Sequence, residues 1–395
     1  MGILAMNIAA FADVPAAYLN PLAATPPVRS IDLALFGVNF IAVDGKMRGL
    51  FSFLFGASLL LFADRVEDRG DSATRLVIRR QLWLLLFGWA HFTFIWYGDI
   101  LVGYALIGLV AFLFRKRSTR TLIASGVALI LLQLLVMSGS AYYAVTLWSA
   151  VQSSPTPDIL AQWQGLDRDM GIPSAARLQE TLALYRGGWV DLVHHQLTEK
   201  PFYPLIMTLM FGPETLGLML LGMAGLKSGL LTGAWSDRRL WRWALVCLGI
   251  AVPAYLLLLG GLVDGGYRTP AILLFGFAGT VPFRPLMVVG YACLIILATR
   301  RNGWLTQRIA AAGRAAFTNY LGTSIVMTTL FYGWGLGLFG MLGRAELALV
   351  TLVTWAGMLL WSKPWLDRYQ YGPMEWLWRS LTNGRSEPMR RTAIA

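Results

Sequence analysis

The sequence predicts an all-α, polytopic integral membrane protein of about ten transmembrane helices, with both termini in the cytoplasm. Three observations predict it. Of 395 residues, 56% are hydrophobic and only 14% charged, which suits a chain whose apolar segments face lipid. The apolar residues fall into ten runs, at 2–13, 45–64, 80–97, 99–114, 120–142, 203–226, 240–262, 274–299, 314–334 and 345–362. Most approach the roughly 20 residues that cross a hydrocarbon core at about 1.5 Å per residue. Basic residues gather in alternate connections, as the positive-inside rule requires of cytoplasmic ones.

The opening run, MGILAMNIAAFA, is too short to span. A first helix truncated by the start of the chain, or one that enters part-way, is expected, and no cleavable signal is evident. The stretch IDLALFGVNFIAV (31–43) is also too short and is expected to lie in the interface or to re-enter. After the run at 45–64, residues 81–117 read as a transmembrane hairpin with Gly98-Asp99 at its tip. The run at 120–142 completes an N-terminal five-helix half, 1–142. Residues 143–202 form the longest polar stretch, with Pro155, Pro157, Pro173 and Gly187-Gly188, and read as an extracytoplasmic loop or cap. A C-terminal five-helix half, 203–362, follows without a recognisable repeat of the first. The tail, 363–395, mixes tryptophan with arginine and is expected on the cytoplasmic membrane surface.

Orientation rests on Arg65, Arg69, Arg75, Arg79 and Arg80, on Arg115–Arg117 and Arg120, and on Lys227, Arg238, Arg239 and Arg242. It rests equally on Arg300, Arg301, Arg308, Arg314 and the basic tail. The short opposite connections carry Arg268 or Arg344 alone, or nothing. The formal charge of +12 therefore reflects topology, and nucleic acid is not an expected partner; membrane lipid is. Cys247 and Cys293 both lie in apolar runs, which argues against a disulfide framework or a cysteine metal site. No metal is expected, and His194-His195 in the outer loop form a poor site without further ligands.

His91 is the only histidine inside an apolar run. A ring at that depth must face a cavity or a partner helix, because lipid cannot satisfy its nitrogens, and imidazole suits general acid–base work. The alternative is a packing hydrogen bond. Gly88 leaves room one turn before it. Arg80, eleven residues earlier, lies about 20° around the helix and about 16 Å below, where a cation could hold a carrier phosphate. Asp99 could serve the acceptor, support a cationic group from a folded-in hairpin, or cap the next helix. Arg48, Glu214 and Arg284 are charges in or beside apolar runs. They surround a polar substrate or form an ion pair between halves, Arg48 alternatively sitting at the outer interface with Asp44 and Lys46. Pro213 beside Glu214 and the prolines flanking Arg284 break their helices. Asn319 and Tyr320, with Ser324, make a polar patch that faces a carrier or bonds neighbouring helices.

Several segments carry a family resemblance. They are DGKMRGLFSFLFGASLLLFADR (44–65), HFTFIWYGDILVGYALIGLVAFLFRKRSTR (91–120), MLLGMAGLKSGLL (219–231), GRAAFTNYLGTSIVMTTLFYGWGLGLFG (313–340) and DRYQYGPMEWLWRSLTNG (367–384). Together they resemble the YeiB-like bacterial inner-membrane proteins, a domain-of-unknown-function family that usually opens with an Arg-Gly and a longer first helix. That family in turn resembles, more distantly, transmembrane acyltransferases of the heparan-glucosaminide acetyltransferase and acyltransferase-3 types. The resemblance implies a multi-pass protein of the bacterial inner membrane. It also implies acyl transfer from a cytoplasmic carrier such as acyl-CoA, acting as co-substrate and not as a tightly bound cofactor.

Three functions compete. In an acyltransferase, His91 and Asp99 are catalytic, Arg80, Asn319 and Tyr320 face the carrier, and Arg48, Glu214 and Arg284 face a small polar acceptor. In a transporter of a small polar or amphipathic molecule, the broken helices and buried charges form the transport site. In a scaffold, the same residues serve stability alone. The sequence leaves the oligomeric state open.

Overall fold

The computed structural model describes residues 1–391; residues 392–395, the end of the expected tail, lie outside the described residues. Helices α1 (Gly2–Ala12), α2 (Ala16–Leu19) and α3 (Ser30–Ala42) precede α4 (Lys46–Glu67). The hairpin is α5 (Ala73–Phe94) and α6 (Leu101–Phe112), followed by α7 (Thr119–Ser153). Three short helices, α8 (Pro157–Asp167), α9 (Ala175–Tyr185) and α10 (Trp189–Thr198), occupy the long polar stretch. The second half holds α11 (Tyr203–Lys227), α12 (Asp237–Asp264) and α13 (Thr269–Ala271), which runs into a π-helical segment, Ile272–Ala278. It continues with α14 (Arg284–Thr299), α15 (Trp304–Arg314), α16 (Ala316–Phe331), α17 (Arg344–Arg368) and α18 (Pro373–Asn383). No β-strand is present among the described residues.

Five stretches are long and apolar enough to cross a membrane: Ser30–Glu67 taken together, α7, α11, α12 and α17. The outward faces agree with a lipid surround. Leu135, Leu209 and Leu257 are 70%, 80% and 79% exposed, more apolar surface than a soluble monomer tolerates in one belt. The other apolar runs are shorter or broken as helices. The backbone break at 279–283 interrupts the run 274–299 that hydropathy alone reads as continuous, whereas those at 43–45 and 95–100 fall where two segments meet.

The segment 31–43 joins the bundle and does not stand alone. Its start meets the start of α17, where Arg29 donates to Glu346 at 2.7 and 2.8 Å, and it leads through Val43–Gly45 into α4. Gly45, with φ of +69°, makes that turn, and a Cβ there would meet the Arg284 guanidinium at 2.5 Å. Helix α7 runs to Ser153, beyond the expected boundary at 142. The reason is that its buried stripe, Gly126, Ile130, Gln133, Met137 and Ala141, continues through Ala144 and Leu147 at helical spacing.

The basic ends converge on one face. Lys227 at the end of α11 donates to the carbonyls of Arg115 and Arg117 at 2.8 and 2.7 Å, and the Trp378 indole donates to the Arg80 carbonyl at 2.9 Å. Serines 72, 118 and 236 cap α5, α7 and α12 there, each accepting from the N–H three residues on. We call this the basic face; α8–α10 lie on the opposite, cap face.

Helix α11 is the hub, packed on α4, α6 and α7. Its contact with α4 is reciprocal: a Cβ on Gly222 would sit 1.7 Å from the Phe53 carbonyl oxygen, and one on Gly56 would sit 2.0 Å from that of Met219. Backbone against backbone leaves no room for any side chain. Gly222→Leu is therefore expected to destabilise the protein by at least about 1–3 kcal/mol. Thermal unfolding in detergent measures it, against Gly260→Leu, where nothing lies within 4 Å; equal midpoints for the two variants would refute the packing account.

Candidate functional site

The α5–α6 hairpin folds inward at its turn. His91 lies one turn before the end of α5, and Asp99 lies in the connection 95–100. His91 Nδ1 and Asp99 Oδ2 are 2.7 Å apart, with side chains 1% and 0% exposed. The other carboxylate oxygen of Asp99 accepts from the Val102 N–H at 2.9 Å. One carboxylate thus caps α6 and fixes the imidazole, two uses that the sequence presents as alternatives. Gly88 permits the closure, because a Cβ there would lie 2.6 Å from Val102 N and 3.0 Å from Asp99 Oδ1. An ionised Asp99 accepts from Nδ1–H, and in that tautomer Nε2 is the free ring nitrogen. Nε2 is buried and has no hydrogen-bond partner among the described residues.

A chamber of about 660 Å³ runs from the basic face toward this pair. Arg80, Arg314, Trp378 and Arg379 line its basic end, and Trp96, Ile100, Tyr104 and Tyr320 its inner end. His91 stands one aromatic layer behind it: the Tyr320 and Trp96 rings are centred 5.1 and 6.4 Å from the imidazole. The Tyr320 hydroxyl accepts from the Ile100 N–H at 3.4 Å. Arg80 lies between the rings of Phe62 and Trp378, 4.7 and 4.3 Å away. The tail helix α18 is docked across this end, its Glu375 accepting from the N–H groups of Phe317 and Thr318 at the start of α16, at 2.6 and 3.1 Å. Asn319 borders the chamber, but its amide is engaged with Ala312, Ser362 and Trp361, which ties α16 to α15 and α17.

Arg48, Glu214 and Arg284 meet as one cluster. Glu214 is fully buried; Arg48 donates to it at 2.7 Å, and Arg284 donates to its other oxygen. The spare guanidinium nitrogens reach Thr215 at 3.2 Å and Thr280 at 2.7 Å. Arg48 is thus drawn into the bundle, and the reason is electrostatic: a buried carboxylate held by two guanidiniums keeps all three charged. Asp44, instead of pairing with Arg48, accepts from the Tyr18 hydroxyl.

Gln133 carries no charge, so the sequence gives it no prominence, yet it makes this cluster possible. Its amide donates to the Met210 carbonyl at 3.0 Å and accepts from the Glu214 N–H at 3.3 Å. Those two groups would bond each other in an unbroken helix, and Pro213 between them kinks it. The only forewarning is Pro213 itself, which implies freed backbone groups that some side chain must satisfy. Lys46 is also missed; its ammonium is buried over the Tyr255 ring at 3.4 Å and donates to the Phe40 carbonyl at the end of α3. In the cap, burial holds His195 below its ordinary imidazole range.

These features define a class: a helical membrane protein with a buried imidazole–carboxylate pair beside an internal chamber and an ion cluster where its helices break. The chain belongs to the YeiB-like family. It is 33% identical to the uncharacterized protein YeiB of Escherichia coli (strain K12), over 97% of this chain and 93% of that protein. It is 32% identical to the uncharacterized protein YxaH of Bacillus subtilis (strain 168), over 99% and 93% respectively. It is 25% identical to an uncharacterized 39.9 kDa protein in the amylase 3′ region of Bacillus acidopullulyticus, over 98% and 92%. Residues 226–385 match the family described as a protein of unknown function, DUF418. No solved structure matches the chain.

Glu214→Ala leaves two guanidiniums without their anion. It is expected to cost about 3–5 kcal/mol, read as a lowered unfolding midpoint in detergent. A midpoint equal to that of the parent would show that the cluster does not hold the bundle.

Proposed function

We propose that the protein is an acyltransferase of the bacterial inner membrane. The observation that carries the reading is the buried His91–Asp99 pair, one nitrogen anchored and the other unpartnered, next to a chamber that begins at a cationic mouth. The positive-inside rule favours a cytoplasmic location for the basic face and α18. Counting α3 with α4 as a single broken crossing, and the 11-residue α1 as a segment that enters part-way, is consistent with ten membrane segments.

In this reading an acyl thioester such as acyl-CoA approaches from the basic face. Arg80, Arg314 and Arg379 attract its phosphates, and the acyl group lies along the apolar chamber wall toward Tyr320. A hydroxyl or amine acceptor arrives from the cap face. As its oxygen or nitrogen bonds to the acyl carbon, its proton passes to His91 Nε2 and the carbon–sulfur bond breaks. The leaving thiolate then takes that proton, and the products are the acylated acceptor and the free thiol. Asp99 holds the Nδ1 proton and stabilises the imidazolium that forms. Tyr320 and Trp96 must yield for the reactants to meet the ring.

A second reading has its own observation. Two helix breaks, at 43–45 and at 279–283, and the Pro213 kink inside α11 lie around the Arg48–Glu214–Arg284 cluster, and broken helices with buried charges also mark transport sites. It predicts flux of an unaltered molecule, whereas transfer predicts an added acyl mass on the acceptor.

His91→Ala is expected to lower acyl transfer in proteoliposomes by about 10²–10⁴-fold, with insertion and gel-filtration profile unchanged. Full activity in that variant would dismiss the catalytic reading.

A further inference from the structure

Trp96 borders two spaces. On one side is the chamber; on the other is a narrow cleft between the hairpin turn, α10 on the cap face and the segment after α16. Three residues of this cleft wall carry a buried, unpartnered polar group: the Trp96 indole N–H, the Gln196 amide oxygen and the Tyr332 hydroxyl, on residues 3%, 5% and 2% exposed. They come from three separate elements. A buried polar group without a partner costs about 1–3 kcal/mol, so three bordering one space point to something that satisfies them.

The chemistry of the walls selects the class. No charged side chain lines the cleft, which disfavours an ionic ligand. Aromatic rings form much of the lining, and Trp189 and Trp334 stand half-exposed at its outer edge, 43% and 38%. Aromatic faces accept either a quaternary ammonium or the C–H face of a hydroxylated molecule. The unpartnered atoms separate the two. The set holds a donor in Trp96, an acceptor in Gln196 and a group that does both in Tyr332. Hydroxyls satisfy all three; a quaternary ammonium satisfies none, and a primary ammonium leaves the Trp96 N–H unmet.

We infer that this cleft is the acceptor's subsite and that the acceptor is a neutral molecule bearing several hydroxyls. The inference rests on the acyl-transfer reading and narrows it. As it stands the cleft encloses about 10 Å³, room for no more than about one water molecule. Binding therefore requires Trp189 and Trp334 to part, and Trp96 is the partition between acceptor and donor.

Saturation-transfer NMR tests this on the protein in lipid nanodiscs, without any acyl donor. The probes are glycerol, inositol and methyl glucoside, with tetramethylammonium and methylammonium, which carry no hydroxyl, as the cationic comparison. The expected result is saturable contact with at least one hydroxylated probe. Contact weakens about tenfold, one hydrogen bond's worth, in Gln196→Leu and in the isosteric Tyr332→Phe. Gly260→Leu, remote from the cleft and in open space, retains it. Contact with tetramethylammonium or methylammonium alone, contact with none of the probes, or parental binding in both variants overturns the assignment. A protein that holds a hydroxylated probe but never acylates it would refute acyl transfer and leave the cleft assignment standing.

Discussion

The hydrogen bond between His91 and Asp99 is the constraint on which the rest depends. It closes the α5–α6 hairpin inward, so that a turn with the composition of a surface loop becomes part of the interior. Burying a carboxylate is tolerable only when its oxygens are engaged, and here one oxygen caps α6 while the other holds the imidazole. The closure needs Gly88 on the facing surface of α5 and positions Trp96, whose ring covers Gly98 and borders both the chamber and the outer cleft. Without the imidazole, Asp99 keeps only its bond to the Val102 N–H.

A second polar centre makes the opposite use of charge. Glu214, Arg48 and Arg284 hold three interrupted helices together at the points where their backbones are weakest. Irregular backbone at membrane depth persists only where protein satisfies it. Gln133 does so across the Pro213 kink, and Tyr291 does so at the end of α3, donating to the Ala42 carbonyl at 2.9 Å. The two centres are linked through Tyr104, whose hydroxyl contacts the Arg48 carbonyl and Ser52 while its residue lines the chamber. A change at the ion cluster thus has a physical route to the chamber.

Much of this was legible in the residues, and the limits are instructive. The alternation of basic connections is visible in the structure as one face where Lys227, Arg115 and Arg117 meet. His91 announces itself because a lone imidazole in an apolar run needs a partner, and Asp99 eight residues later was within reach only if the turn folded in. Glu214 and the two arginines stood out singly, but their meeting depends on contacts 166 and 70 residues apart in the chain, which no local pattern encodes. Gln133 was invisible because an amide in an apolar helix carries no charge signal. The length of α7 was misjudged because hydropathy falls after residue 142 while the helical spacing of small buried residues continues. The chamber and the cleft are products of tertiary packing, formed by α18, α1 and the cap, and periodicity says nothing of them.

Catalysis by this pair requires the Nδ1 proton to be held by Asp99 and Nε2 to stand bare. Nitrogen-15 NMR of the ring nitrogens reads this directly, in protein reconstituted in lipid with His194 and His195 replaced by glutamine, so that His91 is the only histidine of three remaining. The account predicts one protonated, strongly hydrogen-bonded nitrogen coupled to the position of Asp99, and one unprotonated nitrogen. A proton on Nε2 with Nδ1 bare, or an imidazole unaffected by Asp99→Asn, would contradict it.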